Sequence, residues 1–261
     1  MLRIFFTVFF FLVSASPSLA ALKSQTLDYS YGGKTFKGYL VWDDALSGKK
    51  RPGALVFHEF WGLDDYAKSR ADQLAKLGYV ALAADLYGGG KVFTHPDAAG
   101  AMAGEVRKNV ADWVGRAQAA LKALRAQALV DPQKVAAIGY CLGGATVLQL
   151  AYSGADLAAV VSFHGALPIP ETTKDIKAKI LILHGEKDPF VTEETIRQLK
   201  AALDAGKVDY RVVIYPEAMH SFTVSGSEKR GAKGVAYNAE ADKKSWEEML
   251  KLFEQVFGKR G

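Results

Sequence analysis

The 261-residue chain has a single cysteine, Cys141. That scarcity excludes an internal disulfide framework and any cysteine-rich zinc site. The five histidines show no H-E-x-x-H spacing, so no metal site is expected. No internal repeat, low-complexity tract or long linker interrupts the chain, which argues for one domain. Lys and Arg are scattered rather than clustered among aromatics. The formal charge of +5 therefore carries no nucleic-acid footprint and serves solubility. An apolar content of 49% with 23% charged residues is enough for a sizeable globular core.

The N-terminus differs from the rest. Met1-Leu2-Arg3 is followed by an apolar stretch from Ile4 to Val13, then by small residues at Ser18 and Ala20. This pattern predicts a signal peptide over residues 1–20, cleaved after Ala20, with residues 21–261 as the mature domain. The apolar stretch is too short to span a bilayer comfortably. No cysteine lies near the cleavage site to carry a lipid, so no membrane association is expected after cleavage. The expectation is an exported monomer, in a bacterium a periplasmic one, with a charge of +4 once Arg3 is gone. Oxidising compartments favour paired cysteines, so a lone one there needs a chemical reason.

Cys141 sits in Gly139-Tyr140-Cys141-Leu142-Gly143, between the apolar run Val135-Ala136-Ala137-Ile138 and a segment with helical spacing at Ala145, Leu148, Ala151 and Tyr152. Strand, sharp turn and helix around G-x-Nuc-x-G form the context of a nucleophile elbow. Elsewhere the pattern predicts a hairpin (Gln25 to Tyr31, Phe36 to Trp42), turns at Arg51-Pro52-Gly53 and Asp131-Pro132, and strands at 54–57, 79–84, 157–163, 180–184 and 210–215. Helices are expected from Asp64 or Asp65 to Leu77, along the Val110, Trp113, Val114, Ala117, Leu121, Leu124 stripe, near Thr192, and through Trp246, Met249, Leu250, Phe253 and Phe257. Leu86 to Arg107 reads as a loop. Alternating strands and helices imply an α/β fold: a mostly parallel central sheet covered by helices on both faces.

Ligands bind such sheets at the carboxyl ends of the strands. Asp188 follows the strand ending at His184, and His220 follows the strand ending at Tyr215. The order nucleophile, acid, base is that of α/β-hydrolases. Cys141 would attack a carbonyl carbon, His220 would take the thiol proton and later activate water, and Asp188 would orient the imidazole.

Four segments together resemble the dienelactone hydrolase family: Gly139 to Ala145, His58-Glu59-Phe60-Trp61-Gly62-Leu63, Asp85-Leu86-Tyr87 and His220-Ser221-Phe222. The resemblance implies a cofactor-free hydrolase of small carboxylic esters or lactones that works through a thioester. It also implies that Glu59 stands beside the thiol and that the backbone N–H groups of Leu142 and Phe60 form an oxyanion hole. Trp61, Tyr87, Phe190 and Phe222 are candidate pocket walls; His58, His164 and, in a mobile lid, His95 are weaker candidates. The family's substrate-gripping arginines are missing, with Gly88, Gly89 and Thr223-Val224 in their places; Lys91 and Lys187 are the candidate substitutes. A competing reading is a slow or idle relative that binds a carbonyl ligand or a partner protein. A thiol redox role would need an external thiol, since no resolving cysteine exists.

Overall fold

The computed structural model describes residues 21–46 and 48–258, so the expected signal peptide lies outside the described residues. β1 (Leu22–Tyr31) and β2 (Lys34–Asp43) form an antiparallel hairpin. Its turn residues Gly32 and Gly33 both have positive φ, 55° and 72°, as a two-residue hairpin turn requires. β3 (Arg51–Phe57), β4 (Val80–Ala84), β5 (Val130–Tyr140), β6 (Ala159–Phe163), β7 (Lys179–Gly185) and β8 (Tyr210–Tyr215) complete an eight-stranded sheet. Its order is β1-β2-β4-β3-β5-β6-β7-β8, parallel from β4 to β8. Chain order reverses around β3, which has β4 on one side and β5 on the other. Such a switch point opens a crevice beyond the strand ends.

Two helices cover one face: α1 (Asp65–Lys76) and α6 (Ala239–Phe257). The other face carries α2 (Pro96–Arg107), α3 (Val110–Arg125), α4 (Leu142–Tyr152) and α5 (Glu193–Ala205). The strands feed both faces by strict alternation. Leu55 and Phe57 of β3 join the core under α3 and α4, while Ala54 and Val56 join the core under α1 and α6. Residues on both faces are apolar because both faces are covered.

Some boundaries differ from the sequence pattern. Arg51-Pro52-Gly53 is the start of β3 rather than a turn, with Arg51 Nη1 donating to the Asp43 carbonyl at 2.8 Å. Asp131-Pro132 lies within β5, at a register shift where Pro52 pairs with Asp131 but Gly53 pairs with Val135. Pro132 has no N–H for a ladder, which suits an irregularity of this kind. The expected 86–107 loop contains α2. Its buried residues, Ala99, Ala103 and Val106, make a weak stripe, but Pro96 in its first turn is a start signal. Val110, expected on the buried stripe of α3, is 46% exposed.

Candidate active site

The chain arrives at Cys141 from the buried end of β5 and leaves it as the first turn of α4. Cys141 has φ 53° and ψ −111°, a conformation L-residues rarely adopt, and such strain concentrates at functional sites. The neighbours explain how the strain is held. The Cys141 N–H donates to the Phe163 carbonyl at 3.1 Å, and the Gly143 N–H donates to the His58 carbonyl at 3.0 Å. A Cβ at Gly139 would lie 2.0 Å from the Gly143 carbonyl oxygen, and one at Gly143 would lie 2.1 Å from that of Phe57. Both glycines are therefore required by backbone contact, and the side chain between them stands clear of the sheet.

His220 reaches this cysteine from the loop after β8. Its Nδ1 lies 2.7 Å from Asp188 Oδ2, and its ring interacts electrostatically with the Cys141 side chain. The other oxygen of Asp188 accepts the Phe190 N–H at 2.9 Å, which fixes the carboxylate plane. Burial opposes a positive charge on His220, but the Cys141 sulfur and the Asp188 carboxylate outweigh it and raise its pKa well above the usual value. Phe190, 59% exposed, stands edge-on to the His220 ring at 5.0 Å. The arrangement links a strained thiol, an imidazole and a buried carboxylate in one line, the geometry for nucleophilic attack with proton transfer.

Glu59 is buried and its Oε1 accepts from Ser221 Oγ at 2.5 Å. Burial raises its pKa, against the lowering effects of that hydrogen bond and of His220 and Arg230. His58 orients the adjoining backbone. Its Nε2 accepts the Leu86 N–H at 3.2 Å, so the proton resides on Nδ1, which donates to the Glu59 carbonyl at 2.5 Å. That carbonyl belongs to the same peptide plane as the Phe60 N–H and points the opposite way. Tyr87 Oη donates to the Phe60 carbonyl at 2.7 Å and pins the next peptide. Leu142 is the first residue of α4, where N–H groups have no intrahelical acceptor.

Of the expected pocket residues, Phe222 is fully buried. It packs edge-on to His164 and against Tyr215, because the turn at Ser221 (φ 55°) directs it inward; it is core, not wall. Trp61 and Tyr87 are 3% and 4% exposed. Arg230, which the sequence pattern did not single out, lies 4.1 Å over the Trp61 ring and 3.1 Å from Asp64. Lys187 pairs with Glu186 and Glu217 at the surface. Lys91 and Lys34 line a cavity of about 610 Å³ with Tyr87, Gly88 and Gly89. Asp85 builds that glycine loop: its carboxylate accepts the N–H groups of Lys37, Tyr87, Gly88 and Gly90. His95 is exposed at the N-terminus of α2, while His58 and His164 are wholly buried. Among the described residues no His, Cys, Asp and Glu group could hold a metal ion.

The mostly parallel sheet, with helices on both faces and a strained turn at the end of β5, is the α/β-hydrolase fold. Residues 36–257 match the dienelactone hydrolase family, and the chain belongs to it. A structure described as a dienelactone hydrolase-like promiscuous phosphotriesterase, P91, from metagenomic libraries is 42% identical with a TM-score of 0.87, covering 91% of this chain and 100% of its own. The structure called m3DLH is 40% identical with the same TM-score, covering 91% and 99%. Protein usf of Aquifex pyrophilus is 31% identical over 76% of this chain and 86% of its own length. The protein is a hydrolase of the dienelactone hydrolase type.

Proposed function

We propose that this protein hydrolyses small carboxylic esters or lactones through a thioester on Cys141. The observation that carries the reading is the His220 ring, bonded to Asp188 and charge-coupled to the elbow cysteine, whose backbone is strained at φ 53°. With the thiol proton already held by His220, the Cys141 sulfur attacks the carbonyl carbon. The tetrahedral oxyanion is received by the Leu142 and Phe60 N–H groups. Collapse expels the alkoxide, which takes the proton from His220. Neutral His220 then draws a proton from water, and the hydroxide cleaves the thioester. Asp188 stabilises the imidazolium in both halves.

The substrate class is inferred from the missing arginines. No arginine stands at 88, 89 or 224, and Arg230 is already paired with Asp64. Esters without a second carboxylate suit this site better than dienelactone does. A phosphotriester side activity is a second reading, supported by the 42% identical neighbour described as a promiscuous phosphotriesterase. The protein acts as an exported monomer in this reading, and the intact elbow weighs against an idle binding role.

The test is hydrolysis of p-nitrophenyl acetate, butyrate and a p-nitrophenyl phosphotriester by residues 21–261. Cys141→Ala is expected to lower ester turnover by at least about a thousandfold. Turnover that survives the substitution would end the cysteine reading.

A further inference from the structure

The proposed reaction leaves several buried titratable groups unused, and His164 is among the most enclosed beside the site. His164 follows β6 with φ 38°, a strained value for a residue that is not glycine, and it is wholly buried. Its ring lies 5.3 Å from that of His220. Its Nδ1 has no hydrogen-bond partner and faces Glu59 Oε1 at 4.0 Å. A buried, unpaired ring nitrogen beside a buried carboxylate is costly unless the pair has a purpose.

The hydrogen-bond chain behind His164 suggests where the proton sits. Arg70 can only donate, and its Nε donates to Tyr66 Oη at 3.1 Å. Tyr66 Oη lies 2.6 Å from Thr223 Oγ1, which lies 2.7 Å from His164 Nε2. With the phenol donating to Thr223 and Thr223 to the ring, Nε2 is an acceptor and Nδ1 of the neutral ring carries the hydrogen. Burial and the His220 cation both drive the His164 pKa well below its usual value, in keeping with a neutral ring. Thr223 is itself anchored, since Arg70 Nη2 donates to its carbonyl at 2.9 Å.

We propose that His164 is a positioning residue for Glu59: the Arg70–Tyr66–Thr223 chain holds it as the Nδ1–H tautomer, and that N–H dipole keeps the Glu59 carboxylate ionised beside the nucleophile. At 4.0 Å the effect is charge–dipole in a poorly screened interior, and a small rotation of Glu59 away from Ser221 converts it into a hydrogen bond. The other groups facing Glu59 are Ser221, His220, Asp64 and Arg230; those facing His164 are its own backbone carbonyl, Thr223, His220, His184, Arg70 and Tyr140. The proposal rests on the cysteine-hydrolase reading, but its readouts do not require ester turnover.

Two measurements test it in residues 21–261. Nitrogen-resolved NMR of the histidines should show His164 neutral with hydrogen on Nδ1; hydrogen on Nε2 overturns the proposal. The pH profile of Cys141 alkylation by iodoacetamide should show an inflection that Glu59→Gln removes. In Thr223→Val that inflection should move up by about one pH unit, a tenfold change in proton affinity, and Thr223→Ser should restore it. An unmoved inflection, or none that depends on Glu59, overturns the proposal. Tyr66→Phe, which removes the donor to Thr223 together with the acceptor of Arg70 Nε, should shift it the same way by less and serves if Thr223→Val does not fold. Ester turnover surviving in Cys141→Ala would defeat the hydrolase reading while leaving the tautomer result standing.

Discussion

Single residues decide the chemistry here through their immediate partners. His220 is the clearest case, because the sulfur and the carboxylate together overcome the burial that opposes its charge. Its raised pKa means that the imidazolium adds stability below the ordinary histidine value, and that this contribution is lost as pH rises through the raised one. Removing the sulfur removes one of the two supports. In Cys141→Ala, an NMR titration should therefore find His220 losing its proton at least about one pH unit lower than in the parent; an unchanged midpoint would show that the sulfur does not hold the charge. The same logic favours deacylation, since a thioester sulfur carries no charge and leaves His220 readier to act as base. His58 acts more indirectly, through the plane of the Glu59–Phe60 peptide. His58→Leu frees that plane and should lower kcat by about a hundredfold with KM little changed, while His58→Gln, which can still accept and donate, should recover part of the loss. Equal changes in both variants would assign His58 to packing. Cys141, Asp188 and His220 were legible in the sequence because each follows a strand and the three keep a fixed order. Ser221, His164, Thr223 and Arg70 were not legible as a network, because their partnerships join residues up to 162 positions apart and leave no local pattern.

Among the elements, α4 and α2 show opposite demands on glycine. Alanine is the better helix former, so Gly→Ala within a helix usually stabilises by about 0.5–1 kcal/mol. Gly104 in α2 has open space around its missing Cβ, and Gly104→Ala should bring that gain. Gly143 in α4 has the Phe57 carbonyl oxygen 2.1 Å from the same point, so Gly143→Ala must push the elbow away from β3. It should cost about 3 kcal/mol. Urea unfolding of the two variants against the parent reads both signs, and a stable Gly143→Ala would mean the elbow sits more loosely than its contacts imply. The contrast also explains what the sequence pattern conveyed at this scale. Buried strands announced themselves as short apolar runs, and α3 and α6 by their periodicity. α2 did not, because its buried positions are two alanines and a valine on a short helix whose outer face is solvated. β3 began earlier than the pattern implied, since Arg51 can join a strand only by placing its guanidinium on the Asp43 carbonyl, a tertiary contact.

Across the whole molecule, the sheet separates two cores, and the catalytic loops cross between them at the strand ends. One residue fastens the face that carries α1 and α6 to those loops. Arg70, 6% exposed, leaves α1 and donates to Asp242 of α6 and to the Thr223 carbonyl, while its guanidinium lies over Tyr66, Tyr140 and Trp246. The alternation of apolar residues that reveals the layers gives no hint of this clasp, because an arginine in a helix reads as a solvated position. A buried cation so placed contributes through geometry as well as charge: five fixed donors serve three elements at once. Arg70→Met keeps most of the apolar contact but strands the Asp242 carboxylate, which stays partly in water and so limits the penalty. The expected loss is about 2–3 kcal/mol, less than for a fully enclosed pair. In a chain of this size that lowers Tm by roughly 5–10 °C. Adding Asp242→Leu should restore a good part of the loss, because no unpaired charge then remains, whereas Arg70→Lys should not, because an ammonium cannot span the same partners. Calorimetry of these variants decides the point: a Tm that Arg70→Met leaves in place would mean that apolar packing alone holds α1, α6 and the catalytic loop together.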